Sequence, residues 1–399
     1  MSVLQLVATN WRAHGEAMCD LIGKVFPNNG YFATRDWART VYVHHSHYDF
    51  AVSRLGFVDD VLVTHYGVWG YRMHIGGAVV RAGGIGAVAT NGDYRHRGYM
   101  AQTAAASVAA MRAAGYDFSL LFGIDNFYHR FGYVPAWPET TYTVPVEELP
   151  TDAPPRLRRF TARAVGVIDD VFNRENATRT GAAVRPTFRK EGFGSWSEEA
   201  YRWQLPDGAT AGYVHAQTRG NRLLCDECAG DAATVLTVLA HLARRAGCGE
   251  VFFQTLPYDS PVARLLRRGT CKVEQSYRRN GAVMVVLLNL RGALEGLTGE
   301  LSRRLRASAL TGYRGTLRIV HHAEAVTLGL ADGTVTLLPD ADSPNTLTGG
   351  DTLARLFLGS DTAEEVITAG DLQTTGDALP LAAILFPAQH PELPMHDRY

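Results

Sequence analysis

The sequence predicts a mixed α+β protein of two or three domains, and three observations carry that reading. The chain has 399 residues, which at about 100–200 residues per domain makes more than one domain. Its hydrophobic fraction of 46% and charged fraction of 20% supply material for several cores and exclude disorder as the main state. Alternating, glycine-punctuated stretches switch to helical ones repeatedly, and the middle of the chain repeats in coarse form the order of its beginning. Charge is balanced, with 39 Lys plus Arg against 40 Asp plus Glu, so the basic excess of a general nucleic-acid binder is missing.

The elements follow in order. Residues 10–26 read as a helix stopped by Pro27-Asn28-Asn29-Gly30, and 34–43 as a second helix. Trp11, Arg12, His14 and Glu16 come too early for the apolar core of a secretion signal. From 60 to 90 the pattern is β, with Gly76-Gly77 and Gly83-Gly84 as punctuation, which predicts three or four antiparallel strands. A glycine-basic turn at 91–98 opens an Ala-rich helix over 99–114. A buried strand over 118–122, a short helix over 126–131 and a strand over 140–146 follow.

Pro150, Pro154 and Pro155 mark a boundary. The next segment carries a β region at 211–227, a helix at 231–246 and strands at 250–255 and 282–290. The turn before its helix, Ala229-Gly230-Asp231, lacks the glycine-basic loop. A third segment opens with a helix at 291. Strands at 314–320, 324–330 and 334–338 follow, the last two joined by an Asp332-Gly333 hairpin, then helices at 351–358 and 361–368. The tail holds Pro387, Pro391 and Pro394 and ends on Tyr399, an anchored end rather than a loose one. Domains are therefore expected over 1–150, 151–290 and 291–399. Five cysteines, an odd and sparse set, make no disulfide framework, and the longest apolar run, 282–288, is too short for a membrane span. The expectation is a cytoplasmic protein with reduced thiols.

The stretch Val88 to Ala101 carries the chemistry: a strand runs into Asn91-Gly92-Asp93-Tyr94-Arg95-His96-Arg97-Gly98 and on into a helix. Amides at a helix N-terminus point outward unpaired, and the helix dipole favours an anion there. Gly98 admits close backbone approach, and Arg95 and Arg97 add positive charge. The pattern is a pyrophosphate cradle. It lacks the GK[ST] ending of a P-loop and the three glycines of a dinucleotide fingerprint.

Arg95-x-x-Gly98-x-Met100 resembles the R-x-x-G-x-[GA] signature of the GNAT acyl-CoA N-acyltransferases, with Met100 where the family has a small residue. Phe127-Tyr128-His129-Arg130-Phe131-Gly132-Tyr133 resembles the enhanced-intracellular-survival (Eis) branch, in which two tandem GNAT modules precede a domain like sterol carrier proteins. Gly83-Gly84-Ile85-Gly86, Phe386-Pro387 and the aromatic C-terminus agree with that branch, and the likeness covers essentially the whole chain.

The resemblance implies a catalytic module over 1–150, a degenerate second module over 151–290 and a C-terminal domain that supplies the chain end. It implies that Arg95, His96, Arg97, Gly98, Tyr99, Met100 and Ala101 hold the pyrophosphate of acetyl-CoA. Val88, Ala89 and Thr90 would pair with its pantetheine arm, and Gly123, Ile124 and Asn126 would border it. Tyr128 becomes the general acid that reprotonates the CoA thiolate, suited by a phenol pKa near ~10. The α-carboxylate of Tyr399 becomes the general base; with a free pKa near ~3.5 it needs burial or a water relay. The implied reaction is direct attack of a primary amine, on a small molecule or peptide, upon the thioester. No metal, nucleic acid or membrane takes part, and the protein is a homo-oligomer, hexameric in many relatives. Another acyl-CoA donor, or a non-catalytic lipid-binding or regulatory role, are the alternatives. Arg398 stands where relatives that accept polycations often have an acidic residue, which weighs against a strongly cationic substrate unless Asp397 and Glu392 compensate.

Weaker features receive plain readings. His44-His45-Ser46-His47 fits a polar pocket rim better than a metal site. Cys225-Asp226-Glu227-Cys228 lacks a second ligand pair for zinc. Ser119 and Ser195 sit in no nucleophile elbow. Leu353, Leu356 and Val366 fit an ordinary core better than a lipid cavity.

Overall fold

The computed structural model describes residues 3–27, 30–39, 47–124, 126–160, 165–187 and 199–399. The chain divides into two compact units. One comprises Met1–Trp137, Arg279–Gln389 and Tyr399, and the other Pro138–Arg278 and His390–Arg398.

The first unit is built on a seven-stranded sheet. Its strands β1 (Gln5–Ala8), β2 (Arg54–Val58), β3 (Val61–Ile75), β4 (Ala78–Thr90) and β5 (Phe118–Gly123) lie in sequence order, followed by Ala282–Leu287 and Val134–Pro135. Neighbours are antiparallel except β4 and β5, which run parallel. Helix α1 (Trp11–Val25) starts where Asn10 accepts a hydrogen bond from the Ala13 amide at 3.2 Å. It buries Met18, Cys19, Leu21 and Ile22. Helix α2 spans Tyr31–Trp37, beginning after Gly30 at φ +86°, earlier than the sequence suggests. Helix α3 (Tyr99–Ala113) covers the sheet with Met100, Ala104, Val108 and Met111. Strand β1 was not foreseen: four residues carry too little pattern to separate from a loop.

Two strands lie in other sheets than their place in the chain suggests. Glu139–Pro145 joins the sheet of the second unit, between Lys272–Ser276 and Glu250–Phe253. Ala282–Leu287 pairs with β5 along its whole length in the first sheet. Both element types were foreseen; the pairing was not, because a run buried on both faces carries no mark of its partner.

The rest of the first unit opens with helix Leu290–Arg306, capped by Asn289, and continues into a five-stranded sheet. Its order is Thr334–Leu338, Glu324–Ala331, Arg314–His321, Thr346–Gly349, Leu372–Thr375; the last two strands escaped the sequence reading. Leu353, Leu356 and Val366 are core residues there.

The second unit's sheet runs Lys272–Ser276, Glu139–Pro145, Glu250–Phe253, Arg222–Ala229, Thr210–Arg219, Glu199–Gln204, Arg158–Arg159. It repeats the parallel pair of the first sheet, in Arg222–Ala229 with Glu250–Phe253. Helix Ala232–Arg245 follows the first of these strands, but its N-terminus is closed. Asp231 accepts from the Thr234 amide at 2.9 Å and the Thr234 hydroxyl at 2.8 Å, and these bonds lower its carboxyl pKa. A carboxylate sits where an anion would have to bind, which is the physical form of the missing glycine-basic loop.

The chain end is fastened in this unit through residue 398. The Glu392 amide bonds to the Thr180 carbonyl at 3.0 Å, and Leu393 is fully buried. Asp397 accepts from Arg185 Nη2 at 2.9 Å and Thr187 Oγ1 at 2.6 Å. The same guanidinium reaches Glu227 at 2.8 and 2.6 Å and lies 3.5 Å above the Phe172 ring. Arg398 is not a free cation: it binds Glu139 at 2.6 Å. Among the described residues, no helix is long and apolar enough to cross a membrane.

Candidate functional site

The site lies in the first unit, where β4 and β5 part. Their parallel pairing runs from Ala82–Phe118 to Ile85–Leu121 and stops, although β4 continues to Thr90 and β5 to Gly123. From Gly86 to Thr90 the edge of β4 that faces β5 carries no strand partner. The parting coincides with a bulge. The β3–β4 register shifts between His65 and Gly67, opposite Ala87 at φ +48°.

His65 holds this bulge. Its Nδ1 lies 2.7 Å from the Ala87 carbonyl oxygen and its Nε2 lies 2.7 Å from the Tyr48 hydroxyl. A carbonyl only accepts, so Nδ1 carries the proton and Nε2 accepts from Tyr48. Burial lowers the imidazole pKa to about 4, keeping the ring neutral. The unfolded chain binds a proton near pH ~6.5 that the folded state refuses, so this histidine's contribution is full above that pH and lost below it. The unfolding free energy of the wild type minus that of His65→Gln, followed by urea titration, should fall from pH 6.5 to 4 at up to about 1.4 kcal/mol per pH unit. A flat difference would show that the ring is charged or exposed.

Beyond Thr90 the backbone turns through Asn91, whose side chain accepts from the Asp93 amide, and reaches α3. His96 and Gly98 both take left-handed φ, +62° and +76°. Gly98 is the N-cap, no side chain caps the helix, and its first turn holds no acidic residue. The first-turn amides of Tyr99, Met100 and Ala101 therefore lack the closure that Asp231 gives the corresponding helix of the second unit. A Cβ on Gly98 would meet nothing within 4 Å. Gly98→Asp should fold at a cost of about 1–2 kcal/mol for a side chain at this φ, and it places a carboxylate against the first-turn amides. If the expected diphosphate sits at these amides, isothermal titration should show acetyl-CoA binding lost, while the thermal unfolding midpoint falls by only a few degrees (about 2–4 °C per kcal/mol).

A cavity of about 1140 Å³ joins these parts. Its wall includes Val88, Thr90, Arg95, His96, Arg97, Gly98, Tyr99, Met100, Ala101, Ile124, Tyr128 and Tyr399. Ala89, Gly123 and Asn126 lie off that wall. Ala89 is fully buried against β3, and the Gly123 carbonyl accepts the Gly281 amide at 2.6 Å. Met100 touches the cavity but sends its side chain into the core that holds Tyr128. Tyr128 opens a short helical turn, Tyr128–Phe131, and is buried at 6% exposure with Phe127 and Tyr133 as ring neighbours. Burial pushes its phenol pKa well up, so the group holds its proton at neutral pH.

Tyr399 rests on a shelf made by two glycines on one face of β4. A Cβ on Gly84 would come within 2.1 Å of the Tyr399 ring, and one on Gly86 within 3.1 Å of its carboxyl carbon. Tyr71 and Phe122 flank the ring, each at 5.9 Å between centroids. Absent side chains at Gly84 and Gly86 are what admit the chain end.

The opposite part of the wall was not foreseen: Ile22, Val25 and Phe26 at the end of α1, and Ala33, Thr34 and Trp37 of α2. The amphipathic pattern of α1 was visible, but nothing in it separates a cavity wall from an ordinary core face. Of the histidine cluster, His44 and His45 lie outside the described residues, and His47 accepts the Gly70 amide through its carbonyl at 2.8 Å. Cys225 is buried in the second unit's core. Ser195 lies outside the described residues, and Ser119 bonds the Gly83 carbonyl and the Tyr133 hydroxyl. Among the described residues, no group of three or more His, Cys, Asp or Glu is placed to hold a metal ion.

Residues 12–136 match the family described as acetyltransferase (GNAT) domain. No curated protein matches the chain significantly in sequence. Among solved structures, the chain is similar to a GCN5-related N-acetyltransferase from Kribbella flavida, at 19% identity and TM-score 0.75, over 100% of this chain and 99% of that one. It is similar to a GCN5-related N-acetyltransferase from Anabaena variabilis at 14% identity and TM-score 0.79, over 100% of both. Eis1 from Mycobacterium abscessus shares 16% identity at TM-score 0.71, again over 100% of both. At these identities the likeness establishes the fold alone: a mixed α/β chain of several sheets, shared with these structures over its whole length.

Proposed function

We propose that the protein is an acetyl-CoA-dependent N-acetyltransferase that acts on a primary amine by direct attack on the thioester. The observation that carries this reading is a single cavity walled by three things: an uncapped helix N-terminus flanked by Arg95 and Arg97, a buried neutral phenol, and the chain's own terminal residue. A diphosphate suits the amides of Tyr99, Met100 and Ala101, and the open edge of β4 suits the amide-bearing pantetheine arm.

In this reaction the amine nitrogen bonds to the carbonyl carbon and the carbon–sulfur bond breaks. The Tyr399 carboxylate takes the proton from nitrogen, and Tyr128 gives its proton to the departing sulfur. A pKa raised by burial suits Tyr128 to arrive protonated. Three features of the resemblance belong to this proposal as well: a catalytic first module, a sterol-carrier-like third domain, and a homo-oligomeric state.

Tyr128→Phe tests the acid. It should lower kcat by roughly 10²-fold and leave acetyl-CoA affinity unchanged, because the hydroxyl acts only on the leaving group. Steady-state thiol release gives kcat, and calorimetry gives affinity. Unchanged kcat would remove Tyr128 from the reaction.

A further inference from the structure

We infer that the acceptor is a primary amine with an apolar or aromatic body and a single positive charge, not a polyamine. This rests on the acyl-transfer reading above and adds a substrate class to it.

The inference comes from the part of the cavity wall that α1 and α2 supply. Ile22, Val25, Phe26, Ala33 and Trp37 form an aliphatic and aromatic wall. Among the described residues, no Asp or Glu side chain lines the cavity. The carboxylates that α1 could have offered are committed elsewhere. Glu16 binds Arg35 at 2.7 Å and Arg39 at 2.6 Å. Asp20 binds Lys24 at 2.7 Å and accepts the Tyr31 hydroxyl. The charged side chains that do line the cavity are Arg95, Arg97 and Arg130, none of which can partner an ammonium.

Among the described residues, an acceptor with several ammonium groups would therefore lose water around each and meet no Asp or Glu side chain in return, which leaves the carboxylate of Tyr399. That one serves the reacting nitrogen. An apolar body loses nothing polar and removes the wall from water in proportion to the area covered. Trp37 has the largest aromatic side chain of this wall.

Hexylamine and hexane-1,6-diamine have the same chain and differ by one charge, so they separate charge from size. Each is titrated by calorimetry into the protein saturated with CoA, together with 2-phenylethylamine and spermine, and each is assayed for acetylation. Hexylamine should bind at least about tenfold more tightly than the diamine, with 2-phenylethylamine at least equal to hexylamine and spermine weakest. Val25 is half-buried in the wall. Val25→Glu should reverse the order by supplying the missing carboxylate, raising diamine affinity about tenfold. Trp37→Ala, at a more exposed position, should weaken 2-phenylethylamine about tenfold and leave CoA affinity and thermal unfolding unchanged. Diamine or spermine binding as tightly as hexylamine to the wild type would overturn the inference. So would a Trp37→Ala protein with unaltered 2-phenylethylamine binding. The expected binding order without any acetylation would support the ligand class and refute the transfer reaction beneath it.

Discussion

A protein extended past Tyr399 by even a short tag should bind acetyl-CoA normally and acetylate at least about 10²-fold more slowly, the scale of a lost general base. Extension converts the Tyr399 carboxylate of the proposed mechanism into a neutral amide and adds chain beside the Gly84–Gly86 shelf. Tyr399 lies over Gly84 and Gly86, where a Cβ would already collide with the ring or crowd the carboxyl carbon. Deleting Tyr399 moves the carboxylate to Arg398, about 3.5 Å back along the chain, where it misses the amine. Gly84→Val tests the same seat with the tail sequence intact. Its side chain must displace the ring, so it should reproduce the loss in kcat while the cradle at Gly98 keeps its affinity for acetyl-CoA. The comparison is kcat from thiol release against Kd from calorimetry for the three variants. An uncleaved C-terminal extension with full kcat would eliminate the terminal carboxylate as base and turn attention to an internal base, His129 or Asp125.

The second large effect concerns stability. Arg185→Ala should cost the second unit about 3–5 kcal/mol, because it strands two carboxylates away from water. The Arg185 side chain is 2% exposed and those of Glu227 and Asp397 are 6% and 1% exposed. Burial raises the pKa of Glu227, but the charge of Arg185 and its paired hydrogen bonds outweigh that and bring the carboxyl to about 2. Lysine cannot replace the planar fork that reaches Glu227 and Asp397 together, so Arg185→Lys should recover only part of the loss. Urea unfolding followed by far-ultraviolet circular dichroism reads the effect. A change below about 1 kcal/mol would place the network among ion pairs that contribute little.

Legibility in the sequence follows distance along the chain. The strand, the basic glycine turn and the helix start were readable because they are contiguous from Val88 to Ala101 and each has a local chemical signature. The short turn that opens at Tyr128 was readable for the same reason, directly after β5. The glycines at 84 and 86 looked like breaks in a strand; their purpose depends on a residue at the far end of the chain. Arg185, Glu227 and Asp397 are unremarkable charges until folding buries them together. The pairing of Arg398 with Glu139 could not be foreseen from either residue. The places of strands Glu139–Pro145 and Ala282–Leu287 were hidden likewise, since alternation and burial identify a strand but not its neighbour. The carboxylate-capped helix of the second unit lies between these extremes. Ala229-Gly230-Asp231 announced a missing cradle, and the structure adds that Asp231 fills the vacant role with its own negative charge.

Acyl transfer itself is tested most directly by incubating the untagged protein with acetyl-CoA and 2-phenylethylamine, then weighing both amine and protein by mass spectrometry while free thiol is counted. Direct attack predicts one thiol released for each N-acetylated amine, and a protein whose mass never changes. Thiol release without acetylated amine, or an acetyl group retained on the protein, would contradict it.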